Sequence, residues 1–118
     1  MDDEDLEIMH ALAFFYWRRN QNERAAALAY AGYQLSERND VRLACLLSLA
    51  LLDLGFPDRS LTALEGAGHI SDPNIARSAR NIRARAFLRL GKLEEARKEF
   101  RLGAEISNSE GPVDIDEG

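Results

Sequence analysis

Few residues in this chain are of a type that could do covalent or metal chemistry. It has one cysteine, Cys45, and two histidines, His10 and His69. A cysteine attacks only as an accessible thiolate. Cys45 sits between Ala44 and Leu46 in an apolar run and reads as a small core hydrophobe. His10 belongs to an acidic segment and His69 to a loop; both read as solvated surface histidines, with contact to a bound ligand as the alternative for His10. One cysteine excludes an internal disulfide and a Cys-based zinc site, and two distant histidines do not make a metal cluster. No glycine-rich loop could cradle a phosphate. The remaining concentration of chemistry is cationic: Arg77, Arg80, Arg83, Arg85 and Arg89, within a segment 77–101 that holds nine bases and three acids. On a helix these arginines spread over more than one face, and the sequence pI is about 5.0. A nucleic-acid interface needs a coherent basic stripe and is therefore not expected. No catalytic residue, metal or cofactor is expected; the chemistry on offer is that of binding.

The elements that must carry those residues are helices. The 118 residues are 46% hydrophobic and 30% charged, enough for one domain with a packed core. Apolar residues recur at three and four spacing, as in Leu6, Met9, Ala13, Tyr16 and in Ile82, Ala86, Leu90. No alternating run bounded by hairpin turn residues suggests a strand. Breakers at Asn20-Gln21-Asn22, Asn39-Asp40, Gly55-Phe56-Pro57, His69 to Pro73 and Gly91-Lys92 cut the chain into six helix-length pieces. Asp40 and Asp72 can accept hydrogen bonds from the free N–H groups of the helices that follow. Pro57 and Pro73 suit a first turn, where a missing N–H costs nothing. Gly91 can take the left-handed conformation that ends a helix, and Glu94 and Glu95 then meet the positive end of the next helix dipole.

Aligning the helix pairs on their turns reveals a repeat. Asn20, Gly55 and Gly91 are 35 and 36 residues apart. Seven positions before each stands a small residue (Ala13, Ser48, Ala84), five after another (Ala25, Ser60, Ala96), and twelve after a third (Gly32, Ala67, Gly103). Tyr16, Leu51 and Phe87 supply bulk four positions before each turn. This pattern resembles the tetratricopeptide repeat, a helix–turn–helix unit. The best match is 77–110, through Ala84, Phe87, Gly91, Leu93, Ala96, Phe100 and Gly103; 41–76 follows, and 6–40 departs most, with Met9 and Asn20 at two of the family's positions. The resemblance implies an all-α fold: three tandem hairpins (about 6–40, 41–76 and 77–110) wound into a short right-handed superhelix with a concave groove. An acidic extension at 1–5 precedes it, and an acidic tail at 111–118, expected to lack structure, follows.

In such a fold the first helix of each pair lines the groove. The resemblance therefore assigns partner binding to Phe14, Trp17, Arg42, Cys45, Leu46, Leu49, Leu52, Ile82, Arg85, Leu88 and Arg89. The segment from Val41 to Leu54 is apolar nearly all round, which marks a helix buried on both sides. Its second side is expected to need a cover from outside the chain. On the order of 500 Å² of apolar surface would otherwise be open, near the most a monomer tolerates. The expected partner is a protein presenting an amphipathic helix, partly acidic where Arg85 and Arg89 would meet it. The competing reading is ordinary core, with a terminal helix around 99–107 folded over the groove. The Lys, Asn and Arg set with which a chaperone subclass of this fold grips a C-terminal carboxylate is absent: His10, Phe14 and Cys45 stand at matching positions.

Small size, net acidity and an apolar groove together resemble the bacterial type III secretion chaperones. The turn Asn20-Gln21-Asn22-Glu23-Arg24-Ala25 is similar to the leading repeat of the YscY-like subgroup. That resemblance implies a non-enzymatic cytoplasmic chaperone that holds an export-apparatus or needle subunit by covering an amphipathic helix. A general scaffold, or a homodimeric adaptor whose second copy closes the groove, is the alternative. The acidic start Asp2-Asp3-Glu4-Asp5 has the wrong charge for a secretory leader, and membrane insertion is not expected.

Overall fold

The breakers fall where the chain reverses. The computed structural model describes residues 2–116, with side chains described over residues 2–106. The expectation for the acidic tail at 111–118 lies outside the residues described with side chains. Six helices make up the described residues: α1 (Asp3–Arg18), α2 (Asn22–Leu35), α3 (Val41–Asp53), α4 (Pro57–Ala67), α5 (Pro73–Arg89) and α6 (Leu93–Asp116). The side chain of Asp40 accepts hydrogen bonds from the N–H groups of Arg42 and Leu43, and that of Asp72 from those of Asn74 and Ile75. Asp2 caps α1 through the Asp5 N–H at 2.9 Å. Pro57 and Pro73 open their helices at the first turn, where the fixed φ of proline is already helical.

The three inter-helix turns within pairs are copies of one another. Asn20, Gly55 and Gly91 all have positive φ (64°, 93° and 76°). In each turn the next residue donates its N–H back to a carbonyl five positions earlier: Gln21 to Tyr16 at 2.8 Å, Phe56 to Leu51 at 2.9 Å, Lys92 to Phe87 at 2.9 Å. This is a helix-ending motif that needs a left-handed residue. Asparagine is the non-glycine residue that tolerates it best, which explains why Asn20 can stand where the other repeats have glycine.

Within each pair the aligned small residues are buried. Ala13 and Ala25 are inaccessible in the first, Ser48 and Ser60 in the second, and Ala84 and Ala96 essentially so in the third. The middle pair carries hydroxyls where its neighbours carry methyl groups. Ser48 Oγ lies 2.6 Å from Ser60 Oγ and 2.9 Å from the Ser60 carbonyl oxygen, to which it can donate. Replacing one serine strands its buried partner, whereas replacing both recreates the alanine contact of the flanking pairs. Ser48→Ala is therefore expected to cost about 1–2 kcal/mol, and Ser48→Ala with Ser60→Ala less than the sum of the singles, measured by urea unfolding.

Odd-numbered helices form one row, with α1 on α3 and α3 on α5. Each even helix flanks the row: α2 packs on α1 and α3, α4 on α3 and α5, and α6 on α5. The arrangement is all-helical and consistent with a helical repeat. Helix α3 lies at the centre and serves two core clusters. One joins Leu43, Ala44, Leu46 and Leu47 to Ala13, Ala29 and Tyr33; the other joins Cys45 and Leu52 to Leu64, Ala79, Ile82 and Ala86. The expectation that α3 needs an outside cover is corrected here. Leu43 through Ser48, Ala50 and Leu52 are all buried, because α1 and α5 close the side that α2 and α4 leave open. A terminal helix over the groove is not needed for this, and α6 packs on α5.

Candidate functional site

Three helices of the odd row build one depression. Helix α1 supplies His10 and Phe14, one turn apart. Helix α3 supplies Arg42, Cys45, Leu46 and Leu49, the three-and-four spacing of a single stripe. Helix α5 supplies Asn74, Ile75, Ser78 and Ile82. The cavity has a volume of about 340 Å³, within the range of small-molecule and side-chain pockets. Its floor is apolar, and its rim carries an imidazole, a guanidinium, an amide and a hydroxyl.

Six of the sequence-derived binding residues meet here: Phe14, Arg42, Cys45, Leu46, Leu49 and Ile82. Three of those six contribute only a thin edge. Leu46 and Ile82 are 5% exposed and Cys45 is 9% exposed, so their bulk belongs to the core. Phe14 and Leu49 remain open enough to be touched. Leu52 is fully buried and faces α4 and α5 rather than the depression. It sits three residues beyond Leu49, a rotation of roughly 60° short of a full turn.

The other four, Trp17, Arg85, Leu88 and Arg89, lie toward the C-terminal ends of α1 and α5. Asp53, at the end of α3, accepts a hydrogen bond from Trp17 Nε1 at 2.7 Å and faces Arg85 Nη2 at 3.7 Å. Arg89 Nη1 donates to the Leu52 carbonyl at 3.0 Å. Arg85 and Arg89, expected to meet acidic groups of a partner, both contact the C-terminal end of α3, and Leu88 stands exposed. The sequence pattern assigned no role to Asp53. Its role depends on residues 36 positions before and 32 after, and local pattern does not carry that information.

Two titratable groups are shaped by the depression. Burial, helped by the nearby Arg42 guanidinium and opposed by Asp40, lowers the pKa of His10. His10 therefore stays a neutral imidazole, able to donate and accept, to lower pH than an unperturbed histidine does. Burial pushes the Cys45 thiol up to about 11. The thiolate is scarce below that pH, so alkylation of the folded protein is expected to be slow at pH 8 and to rise tenfold per pH unit toward 11. Urea should remove the protection. Mass spectrometry of iodoacetamide-treated protein reads both effects.

A second cavity, of about 620 Å³, lies on the opposite face between α2 and α4. The backbones of these two helices stay apart. Ala26, Ala27, Ala63 and Gly66 keep the trough open, and Leu47 and Leu51 floor it. The Tyr33 hydroxyl is buried here without a hydrogen-bond partner, 3.8 Å from where a Cβ on Gly66 would stand. No expectation from the sequence covers this trough. The signal was present as small residues repeated along the outer side of the second helices.

Among the described residues, no group of three or more His, Cys, Asp or Glu side chains could hold a metal ion, and no helix is long and apolar enough to cross a membrane. No protein-family model, curated protein or solved structure matches the chain.

Proposed function

We propose that the protein is a non-enzymatic binding module, a small tetratricopeptide-type chaperone or adaptor that takes one face of an amphipathic helix into the depression between α1, α3 and α5. The observation that carries this reading is the convergence of Phe14, Leu49 and Ile75 from three successive odd helices on one apolar cavity rimmed by His10, Arg42, Asn74 and Ser78. Apolar side chains from two successive turns of a helix can share such a volume and meet hydrogen-bonding groups at the rim. The superhelical form of the repeat array belongs to this proposal, and it rests on the aligned turns and small residues. The partner class also belongs to it: a subunit of a type III secretion export apparatus or needle, kept unassembled in the cytoplasm while its helix is covered.

The test is purification of the tagged protein from its native cell, with the bound protein identified and the capture repeated with variants. Phe14→Glu and Leu49→Asp should lose the bound protein; Tyr30→Glu, on the α2 face, should keep it. Retention by both groove variants with the fold intact overturns the proposal. Loss through Tyr30→Glu alone moves the site to the trough between α2 and α4.

A further inference from the structure

Helix α1 has a second apolar stripe that neither the core nor the depression uses. Ile8, Leu12 and Phe15 are 52%, 44% and 49% exposed. With Asp5 before them and Arg19 after, they fall at spacings of three, four, three and four, the seam of a two-helix coiled coil. At 100° per residue this seam lies roughly opposite His10 and Phe14, so it is a different face from the candidate site. Helix α1 is also the first of the odd row, with α3 on one side only.

The ends of the seam have opposite charge. Glu4 and Asp5 stand at its start, and Arg19 at its finish with its guanidinium 5.0 Å from the centre of the Phe15 ring. A helix with an acidic start and a basic end is complementary to itself when turned around. We propose that the occupant of this face is a second copy of the chain, with the two α1 helices antiparallel about a two-fold axis near Leu12. Ile8 of one copy then lies beside Phe15 of the other, Leu12 beside Leu12, and Glu4 and Asp5 beside Arg19. Parallel pairing would set like charges together and is disfavoured. The apolar part of the contact is small, near or below the ~1,200 Å² at the lower end of stable interfaces. The dimer therefore forms in the micromolar range and depends on salt through its end charges. The pairing leaves the depression between α1, α3 and α5 open and does not depend on its having a partner.

Sedimentation equilibrium of the full chain over the micromolar range tests it. The mass is expected to move from 13.2 kDa toward twice that value as concentration rises. Leu12→Glu should raise the dissociation constant at least tenfold without loss of helicity. Arg19→Glu should weaken the dimer, and adding Glu4→Arg and Asp5→Arg should restore it. Leu12→Cys in a Cys45→Ala background should oxidise to a covalent dimer; Ala31→Cys, on α2, should not. A monomer at several hundred micromolar overturns the proposal, as does a dimer indifferent to Leu12→Glu or one that fails to cross-link through position 12. A dimer broken by Leu49→Asp instead would place the second copy in the depression and equally overturn it.

Discussion

Leu52→Asp is expected to yield no folded protein, whereas Leu49→Asp, one turn away, is expected to fold. Both leucines belong to the same apolar run, but Leu52 is inaccessible and packed among Leu64, Ile82 and Ala86, while Leu49 is half-buried at the depression. Removing a buried leucine costs about 2–5 kcal/mol, before the larger cost of enclosing a carboxylate. Together these exceed what a domain with roughly 5–15 kcal/mol of total stability can lose. The carboxylate introduced by Leu49→Asp can turn to water, and its cost stays below about 2 kcal/mol. Circular dichroism with urea unfolding separates the two outcomes. A folded Leu52→Asp protein would show that α3 is packed differently from the description above.

The second large effect is expected between α5 and α6. Glu99 of α6 is buried, and two arginines of α5 serve it: Arg80 Nη1 at 2.9 Å from Oε1 and Arg83 Nε at 3.3 Å from Oε2. The three groups differ in exposure. The Glu99 side chain is 6% exposed, those of Arg80 and Arg83 39% and 25%. Losing the glutamate leaves two cations that can still reach water; losing both arginines leaves a buried anion alone. Arg80→Met with Arg83→Met is therefore expected to cost about 3–5 kcal/mol. Glu99→Leu should cost markedly less, and combining all three should return most of the loss, since an apolar cluster can replace a buried ion group. Urea midpoints of the four proteins check the order. Equal costs for the two arms would mean that Glu99 reaches solvent.

What could be read from the sequence divides by range. Caps, first-turn prolines and the left-handed turn residues are local, and Asp40, Asp72, Pro57, Pro73 and Gly91 all act as their residue types dictate. The buried small residues were legible because the chain repeats them, so one position vouched for the next. Six of the ten lining residues were legible through the repeat: Phe14, Arg42, Cys45, Leu46, Leu49 and Ile82 stand at positions that the resemblance turns inward. Leu52 was misplaced because α3 is apolar on every side, and a stripe without a polar edge has no phase to read. The contacts of Arg85 and Arg89 with α3 were not legible, because an arginine's intramolecular partner is set by reach across helices, not by spacing along one. The exposed seam of α1 was visible as residue types but not as a surface, since nothing in the pattern says that helix α1 has a neighbour on one side alone.

The Trp17–Asp53 contact has a practical corollary. Trp17 is the only tryptophan in the chain, and its indole N–H is held by a carboxylate on the central helix, which also faces an arginine of the third odd helix. The indole therefore senses the relative placement of all three odd helices. Its emission is an intrinsic optical gauge of whether they spread or close, readable on the native chain without any dye.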